Sequence, residues 1–430
     1  MLDLSSFVLP VQRPPAIIIG LRQNGLGVAR ALQQEGIPAI VLTHDRGDPA
    51  LWTRACQKVR LTEWDETSVI SSLLELGRFI GNRYSSKPPI LVTQDAAVMW
   101  LSRAREALSE FFSILLPDPD TVDLLMDKAR FSQYARDRGW PLPRTFAVAS
   151  QADFEAVRGD IPFPCIVKPA VKNAAYRNNA SEKAHLAEDS VGLERVYSDV
   201  AQWESEMVLQ EFIPGGDDHI AYCLAYYDAS GRPKAVYPGI KLRQWPPFRG
   251  GTAVAAPCPA EWKEMVVGLT KEIFDTVGYR GLGSVEFKMH PADGRPRIVE
   301  PTVGRTNYQS EIAVLNGVNI PAIAYWDMIG EPGRIATRHN SRATKLIDVE
   351  HEKLASAMLM RKGLLDQTER RRILAGPRKQ MYFRWNDPLP GVANSLSHLA
   401  LGRLAEAVFG RRFRMMLRSV RGYARERVGR

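Results

Sequence analysis

Two glutamates in this 430-residue chain have a spacing that suits metal chemistry. Glu286 interrupts the apolar run GSVEFKM, Glu300 ends the run RPRIVE, and HPADGRP between them predicts a hairpin turn. Two antiparallel strands joined there would bring both carboxylates to one end of one face. Like charges this close repel unless a cation lies between them, and Mg²⁺ commonly takes one or two carboxylates plus phosphate oxygens. The pair predicts a magnesium site; the alternative is two solvated glutamates on a hairpin rim.

Two lysines upstream suit a polyanionic ligand. Lys128 lies in the helical run MDKARF, and Lys168 ends the buried strand of IVKPA. An ammonium at the tip of an apolar strand loses hydration, and a polyanion is a natural compensator. Taken alone, Lys168 also fits a strand-end lysine that extends its ammonium into water.

A third segment has the polarity that a nucleotide base requires. Residues 210–213 (QEFI) close a strand, and 214–217 (PGGD) turn away from it. Alternating backbone C=O and N–H groups at a strand end suit the edge of adenine, and Asp217 would accept from ribose hydroxyls. As a lone segment it is equally an ordinary loop.

The elements that must position these residues fall into three parts. Alternating strand and helix signals, beginning with AIIIG and a glycine turn, predict an α/β parallel sheet within 1–120. Residues 121–335 read as α+β, with an opening helix from Asp120 to Gly139 and antiparallel β-rich runs after it. Residues 336–430 predict a basic, mainly helical extension.

Composition is that of a globular protein, and its positive charge is concentrated at the end. The net charge is +9, while 331–430 holds 22 Lys+Arg against 9 Asp+Glu, which is +13 and leaves −4 for the first 330 residues. No apolar run approaches the roughly 20 residues that cross a bilayer. The four cysteines are widely spaced and predict free thiols in a reducing compartment. A cytoplasmic location, membrane-peripheral at most, is expected.

The ordered set of lysines, strand-end hinge, acid and hairpin carboxylates resembles the ATP-grasp superfamily over about 121–325. Within it, EPTVGRTNYQSEIAVLNGVNIP is similar to a segment of D-aspartate ligases and related carboxylate–amine ligases. The resemblance implies an ATP-grasp domain of two lobes after a Rossmann-like domain. It also implies that ATP and Mg²⁺, or Mn²⁺ in its place, join a carboxylate to an amine through an acyl phosphate.

The resemblance also implies a role for each matching residue. Contacts to ATP are implied for Lys128, Lys168, Gln210, Glu211, Phe212, Ile213 and Asp217, with the two lysines on the phosphates and Asp217 on the ribose. Glu286 and Glu300 would ligate magnesium. Lys241 and Arg243 would lie near the γ-phosphate or acyl phosphate, and Arg305 would stabilise the transferred phosphoryl group or bind a substrate carboxylate.

Two departures from the family pattern leave a degenerate ATP binder without ligase activity as an alternative. The usual Glu-x-Asn metal motif has Thr302 in place of asparagine, so that a weaker hydroxyl ligand or the nearby Asn307 would serve. The loop over the phosphates, 171–184, contains no glycine. Lys183 is the residue of that loop predicted to cover the phosphates.

Two further alternatives start from other segments. Gly20, Gly25 and Gly27 follow the first strand, which suggests a dinucleotide-dependent oxidoreductase, but they do not form GxGxxG. The arginine-rich end predicts an amphipathic helix that packs on the body, binds a protein partner or lies on an anionic membrane. Amino acid-like carboxylate and amine substrates are expected, with no nucleic acid and with a homodimer as an open option.

Overall fold

The computed structural model describes residues 7–45, 47–169, 185–203, 206–248, 250–305, 307–334 and 343–408. Within these ranges no helix is both long and apolar enough to span a bilayer. All four cysteines are free thiols; Cys165 and Cys223 are buried, and Cys56 and Cys258 are half-buried.

The N-terminal part is a parallel sheet with helices around it, as the sequence predicts. Its elements in chain order are β1 (Ala16–Ile19), α1 (Arg22–Gln34), β2 (Ala39–Thr43), β3 (Gln57–Arg60), α2 (Glu66–Ile80), β4 (Ile90–Val92), α3 (Asp95–Arg103) and α4 (Arg105–Ser109). The strand order is β3-β2-β1-β4, with every pair parallel. Ile17 and Ile19 pack into one core cluster and Ile18 into another. Both faces of β1 are therefore covered, which explains its uninterrupted apolar sequence.

A smaller antiparallel sheet follows, with strand order β5-β8-β6-β7. Its elements are α5 (Pro119–Met126), α6 (Lys128–Asp137), β5 (Thr145–Val148), α7 (Gln151–Val157), β6 (Cys165–Pro169), β7 (His185–Ala187), α8 (Ser190–Ala201) and β8 (Met207–Glu211).

The prediction of a single helix from Asp120 to Gly139 is wrong, because the helix is interrupted at Asp127. Asp127 leaves helical geometry at ψ 111°, and its carboxylate accepts from the N–H groups of Ala129 and Arg130. This N-cap starts a new helix whose first residue is Lys128.

The largest sheet has seven strands in the order β13-β12-β9-β10-β11-β14-β15. Its elements and the helices after it are β9 (Ile220–Tyr227), β10 (Pro233–Trp245), β11 (Gly251–Pro257), α9 (Ala260–Thr276), β12 (Gly281–Met289), β13 (Pro296–Val303), α10 (Ser310–Leu315), α11 (Ile320–Met328), β14 (Lys345–Ile347), α12 (Val349–Arg361), α13 (Gln367–Leu374), β15 (Arg378–Gln380) and α14 (Leu389–Val408). All described pairs are antiparallel except β14 with β15.

Side chains of this sheet alternate between two cores. Val285 and Phe287 pack with Phe274 of α9 on one face, which we call the helix face. Tyr222 and Tyr226 pack on the opposite face with residues of α1 and α11. Glu286, which is opposite Tyr222 in the ladder, shares that second face. We call it the carboxylate face.

The described residues from 343 to 387 are packed into the rest of the protein. β14 and β15 extend the large sheet, and Asp387 joins the N-terminal part. Its Oδ2 accepts from Arg30 Nε at 3.0 Å and from Thr53 Oγ1 at 2.6 Å. Arg384 Nη2 lies 2.6 Å from Glu311 Oε1. The division of the chain at residues 120 and 335 stays a proposal.

Arg370 of α13 forms a two-pronged ion pair with buried Glu352 of α12, through Nε at 2.9 Å and Nη2 at 2.6 Å. Burial opposes ionisation, but these hydrogen bonds prevail and lower the pKa of Glu352. We expect Arg370→Met to reduce the free energy of unfolding at pH 7 by about 3 kcal/mol, because it leaves a buried carboxylate without its cation. Chemical denaturation measures this, with Arg371→Met, at an exposed neighbour, as the control.

The pH dependence of that variant follows from the direction of the shift. A folded-state pKa below the unfolded value of about 4.3 gives a stabilisation that is complete above that pH and lost as the pH falls through the folded pKa. The difference in the free energy of unfolding between Arg370→Met and wild type should therefore become smaller below about pH 4.3. An unchanged difference at acidic pH would contradict the ion-pair explanation.

Candidate functional site

Glu286 and Glu300 lie directly opposite each other on β12 and β13. Partners in an antiparallel ladder project to the same side, so both carboxylates belong to the carboxylate face. Glu300 pairs with Glu286 while Ile298 pairs with Phe287, so Val299 between them has no partner in the ladder. This bulge lets Ile298 stay in the core while Glu300 meets Glu286.

Each carboxylate is already paired with a predicted lysine. Lys128 Nζ lies 2.9 Å from Glu300 Oε2, and both side chains are about half exposed. Lys241 Nζ lies 2.5 Å from Glu286 Oε2, and Lys241 is 5% exposed. The arrangement is a compact cluster of two ion pairs.

The pKa shifts of Glu300 and Lys241 agree with these ion pairs. Partial burial opposes ionisation of Glu300, but the charges of Lys128, Lys168 and Lys241 prevail and lower its pKa to about 2. Burial also disfavours the ammonium of Lys241, yet the charge of Glu286 prevails and raises the pKa of Lys241. Both carboxylate and ammonium are therefore charged at neutral pH.

Lys168 and the predicted adenine segment meet on the smaller sheet. Lys168 Nζ donates to Gln210 Oε1 at 2.8 Å, and Gln210 Nε2 donates to Thr145 Oγ1 at 3.0 Å. Glu211 Oε2 accepts from the N–H of Arg144 at 2.9 Å. Ile213 is buried, and the N–H of Phe212 donates to the carbonyl of Pro164. The charge of Lys168 also acts on Glu300, so this end of β6 lies near the carboxylates.

Asp217 is engaged within the protein. Its Oδ2 accepts from the N–H of Gln244 at 2.8 Å and its Oδ1 from that of Phe248 at 2.7 Å. Burial raises the pKa of Asp217 against these bonds. Asp217 thus anchors the end of β10, and its contact with ribose stays a prediction.

Arg243 does not join Lys241, although two residues separate them on β10. Lys241 is opposite Ala255 and Arg243 is opposite Val254, so Leu242 forms a bulge. Adjacent residues of β11 project to opposite faces, which directs Arg243 to the helix face. Lys241 and Arg243 therefore project to opposite faces of the sheet, and the contact of Arg243 with a phosphate stays a prediction.

The remaining predicted residues lie near the end of β13. Arg305 Nε donates to Asp95 Oδ1 at the start of α3. Thr302 is opposite Ser284, and Asn307 Nδ2 donates to Ser284 Oγ at 3.2 Å. Thr302 and Asn307, the two candidates for the missing asparagine ligand, thus adjoin the same serine. Lys183 lies outside the described residues.

Lys288 was missed in the sequence although its position is informative. It lies two residues after Glu286 and therefore on the same face. Its Nζ donates to the carbonyls of Gly215 at 2.8 Å and Gly216 at 2.7 Å. Burial lowers the pKa of Lys288 to about 8. It fixes the turn that follows the adenine segment.

A polar and aromatic group at the carboxyl edge of the parallel sheet was also missed. His44, after β2, stacks on Trp64 at 4.8 Å between ring centroids. Trp64 Nε1 donates to Gln94 Oε1 at 2.9 Å, and Gln94 directly precedes Asp95, the partner of Arg305. The carboxyl edge of a parallel sheet is the usual place for a ligand. The only available signal was the position of His44 and Gln94 just after predicted strands.

The donor set suits magnesium. Two hard carboxylate oxygens project from one face, which matches the one or two carboxylates that Mg²⁺ takes when phosphates supply further ligands. Among the described residues no group of three His, Cys, Asp or Glu side chains is placed to hold a metal.

Comparison with known structures identifies the fold. An ADP complex of N5-carboxyaminoimidazole ribonucleotide synthetase superimposes with a TM-score of 0.59 at 12% identity, over 83% of this chain and 86% of the other. The L-amino acid ligase of Bacillus licheniformis gives 0.55 at 16%, over 77% and 79%. The chain has the ATP-grasp fold.

Its sequence is similar to those of carboxylate–amine ligases. It is 24% identical over 329 residues to D-aspartate ligase of Enterococcus faecium, which covers 73% of this chain and 76% of the relative. It is 33% identical over 98 residues to D-alanine–D-alanine ligase of Ectopseudomonas mendocina, covering 23% of this chain and 29% of that ligase. No family model matches the chain.

Proposed function

We propose that this ATP-grasp protein joins an amino acid-like carboxylate to an amine, at a nucleotide site built by Lys128, Lys168, Lys241, Glu286 and Glu300. The observation that carries the proposal is the cross-strand carboxylate pair, with each member bonded to a lysine from a different element. The names of its relatives support the reaction class.

When nucleotide binds, the two lysines would exchange their carboxylate partners for phosphate oxygens. Lys128 and Lys241 are paired with the carboxylates and would turn to the triphosphate. Magnesium, when bound, would be held by Glu286 and Glu300 and would neutralise charge on the phosphate oxygens. Lys168, bonded to Gln210, would link the phosphates to the adenine segment at 210–213.

The chemistry needs positioning more than covalent help from the protein. The γ-phosphoryl group moves to a substrate carboxylate, giving an acyl phosphate and ADP. An amine then attacks the acyl carbon, and phosphate leaves from the tetrahedral oxyanion. Lys241 would stabilise the charge that develops in both steps, and the enclosing sheets would exclude water that hydrolyses the acyl phosphate.

The substrate would bind between the carboxyl edge of the parallel sheet and the carboxylate face. Arg305 bridges these two regions through Asp95, whose side chain is 62% exposed. A substrate carboxylate would replace Asp95 as the partner of Arg305, since a guanidinium binds a carboxylate in a two-pronged geometry. The group of His44, Trp64 and Gln94 would then contact the rest of the substrate.

A phosphate-release screen with ATP, Mg²⁺ and pairs of amino acids tests the reaction. We expect one pair to stimulate phosphate release well above either amino acid alone, with a ligated product of matching mass. No ADP formation under any of these conditions would favour the degenerate ATP binder. Hydride transfer with a nicotinamide cofactor would instead revive the oxidoreductase alternative.

We also propose that the C-terminal helix adds a contact with an anionic membrane surface. Trp385, Leu389, Val392 and Leu396 are 89%, 39%, 49% and 60% exposed, and the last three share one side of α14 by their spacing. Nine arginines follow from Arg403 onward, against Glu406 and Glu426. This combination is typical of helices that lie in a membrane interface.

Liposome co-sedimentation tests the membrane contact. We expect salt-sensitive binding to vesicles that contain phosphatidylserine, lost on truncation after Pro390, with neutral vesicles as the control. Equal binding by the truncated chain would contradict it. The cytoplasmic location and a homodimer stay predictions.

A further inference from the structure

A cavity of about 310 Å³ lies on the helix side of the large sheet, where the C-terminal helices meet the end of β10. Its lining includes Asp217, Arg243, Leu359, Arg372 and Ile373. None of the five residues proposed for the nucleotide site lines it. A larger groove of about 650 Å³, next to Pro141 and Arg297, also holds none of them.

Arg243 brings a buried cation with unpaired hydrogen-bond donors to this cavity. The residue is 7% exposed, and its Nε and Nη2 are buried without a hydrogen-bond partner. The bulge at Leu242 directs the side chain to this face and thereby causes its isolation from the carboxylate face. A buried guanidinium with unpaired donors is destabilising unless an anion completes it.

The two acids on which the charge of Arg243 acts already have other hydrogen-bond donors. Glu352 accepts two hydrogen bonds from Arg370 and one from Ser356 Oγ at 2.5 Å. Both oxygens of Asp217 accept from backbone N–H groups of Gln244 and Phe248. Neither carboxylate therefore supplies the partner that Arg243 lacks.

Two other cations line the cavity together with three acids. Arg372 lines it from α13, and Lys345 from β14. Burial and the charge of Arg378 lower the pKa of Lys345, whose Nζ donates to the carbonyls of Ile373 and Ala375. Asp218 and Glu369 also border the cavity and would accept hydrogen bonds from an amino group on the same ligand.

We propose that this cavity is a second ligand site, which binds a small oxyanion, a carboxylate or a phosphate, between Arg243 and Arg372. Its volume is at the small end of small-molecule sites, which span roughly 300–1,000 Å³, and suits a small metabolite rather than a nucleoside triphosphate. The bound anion would fasten α13 to β10. This site is independent of the proposed reaction.

Calorimetric titration of the full chain tests the site, with potassium phosphate and potassium succinate as separate probes and KCl at equal ionic strength as the reference. Saturating Mg²⁺ and ADP are present throughout. We expect one probe to bind saturably, one per chain, and to raise the melting temperature. The identity of that probe distinguishes phosphate from carboxylate.

Variants assign the binding to the cavity. Arg372→Met and Arg243→Met should each weaken the binding at least tenfold, while Arg371→Met, at an exposed neighbour outside the lining, should leave it unchanged. Arg372 is exposed, so its variant carries the test if Arg243→Met fails to fold. Absence of saturable binding by both probes, or unchanged binding in Arg372→Met, would overturn the proposal. Neither outcome depends on turnover, so the proposed ligase activity is judged separately.

Discussion

Replacing Glu300 by glutamine should lower ATP turnover by at least about a hundredfold while leaving the fold intact. Loss of an outer-shell partner of a metal ligand already costs 10–100-fold, and a direct ligand should cost no less. The amide keeps the shape of the side chain but removes the negative charge that the metal requires. Coupled measurement of ADP formation at saturating Mg²⁺ gives the effect.

Stability is expected to change little in the same variant. The ion pair with Lys128 is about half exposed on both sides, and such pairs contribute roughly 0–1 kcal/mol. Glu66→Gln is a matched control, because Glu66 forms a similarly exposed pair with Arg103 far from the site. Turnover in Glu300→Gln equal to that in the Glu66 variant would refute the metal assignment.

Replacing Lys241 by methionine should impair both turnover and stability. Lys241 is almost fully buried, and its removal leaves the partly buried carboxylate of Glu286 without a cation. We expect a loss of about 3 kcal/mol in the free energy of unfolding, since breaking a buried pair on one side costs several kcal/mol. Turnover should fall at least about a hundredfold, as for loss of a strong electrostatic stabiliser of the transition state.

Magnesium separates the two roles of Lys241. Without the ammonium, Glu286 loses its cation while Glu300 keeps Lys128, so Mg²⁺ with ADP should raise the melting temperature of Lys241→Met more than that of wild type. Lys234→Met is the control on the same strand; Lys234 pairs with Asp228, which Ser230 and Arg232 also hold. Equal magnesium effects in both variants and wild type would contradict the charge exchange.

The sequence was most informative where periodicity and turns act locally. The alternation in GSVEFKM and the turn before RPRIVE were enough to predict that Glu286 and Glu300 share one face, and the ladder has that arrangement. The buried run AIIIG likewise predicted a strand of a parallel sheet. These features depend on residues close in the chain, so a single sequence contains them.

Register irregularities and distant pairings could not be predicted in this way. KLR has the two-residue spacing that places both cations on one face of a regular strand, and only the bulge at Leu242 separates Arg243 from Lys241. Strands β14 and β15 are short and have no clear hydrophobic alternation. They form strands because they pair with neighbours in the sheet. Asp127 looked like one more polar helix residue, whereas its side chain ends one helix and starts the next.

A crystal structure with Mn²⁺ and a non-hydrolysable ATP analogue tests the central claim most directly, because manganese is located by its anomalous scattering. We predict an anomalous peak within bonding distance of carboxylate oxygens of both Glu286 and Glu300, with Lys128 and Lys241 turned to the phosphates. A peak elsewhere, or lysines still bonded to the two glutamates beside a bound nucleotide, would contradict the account.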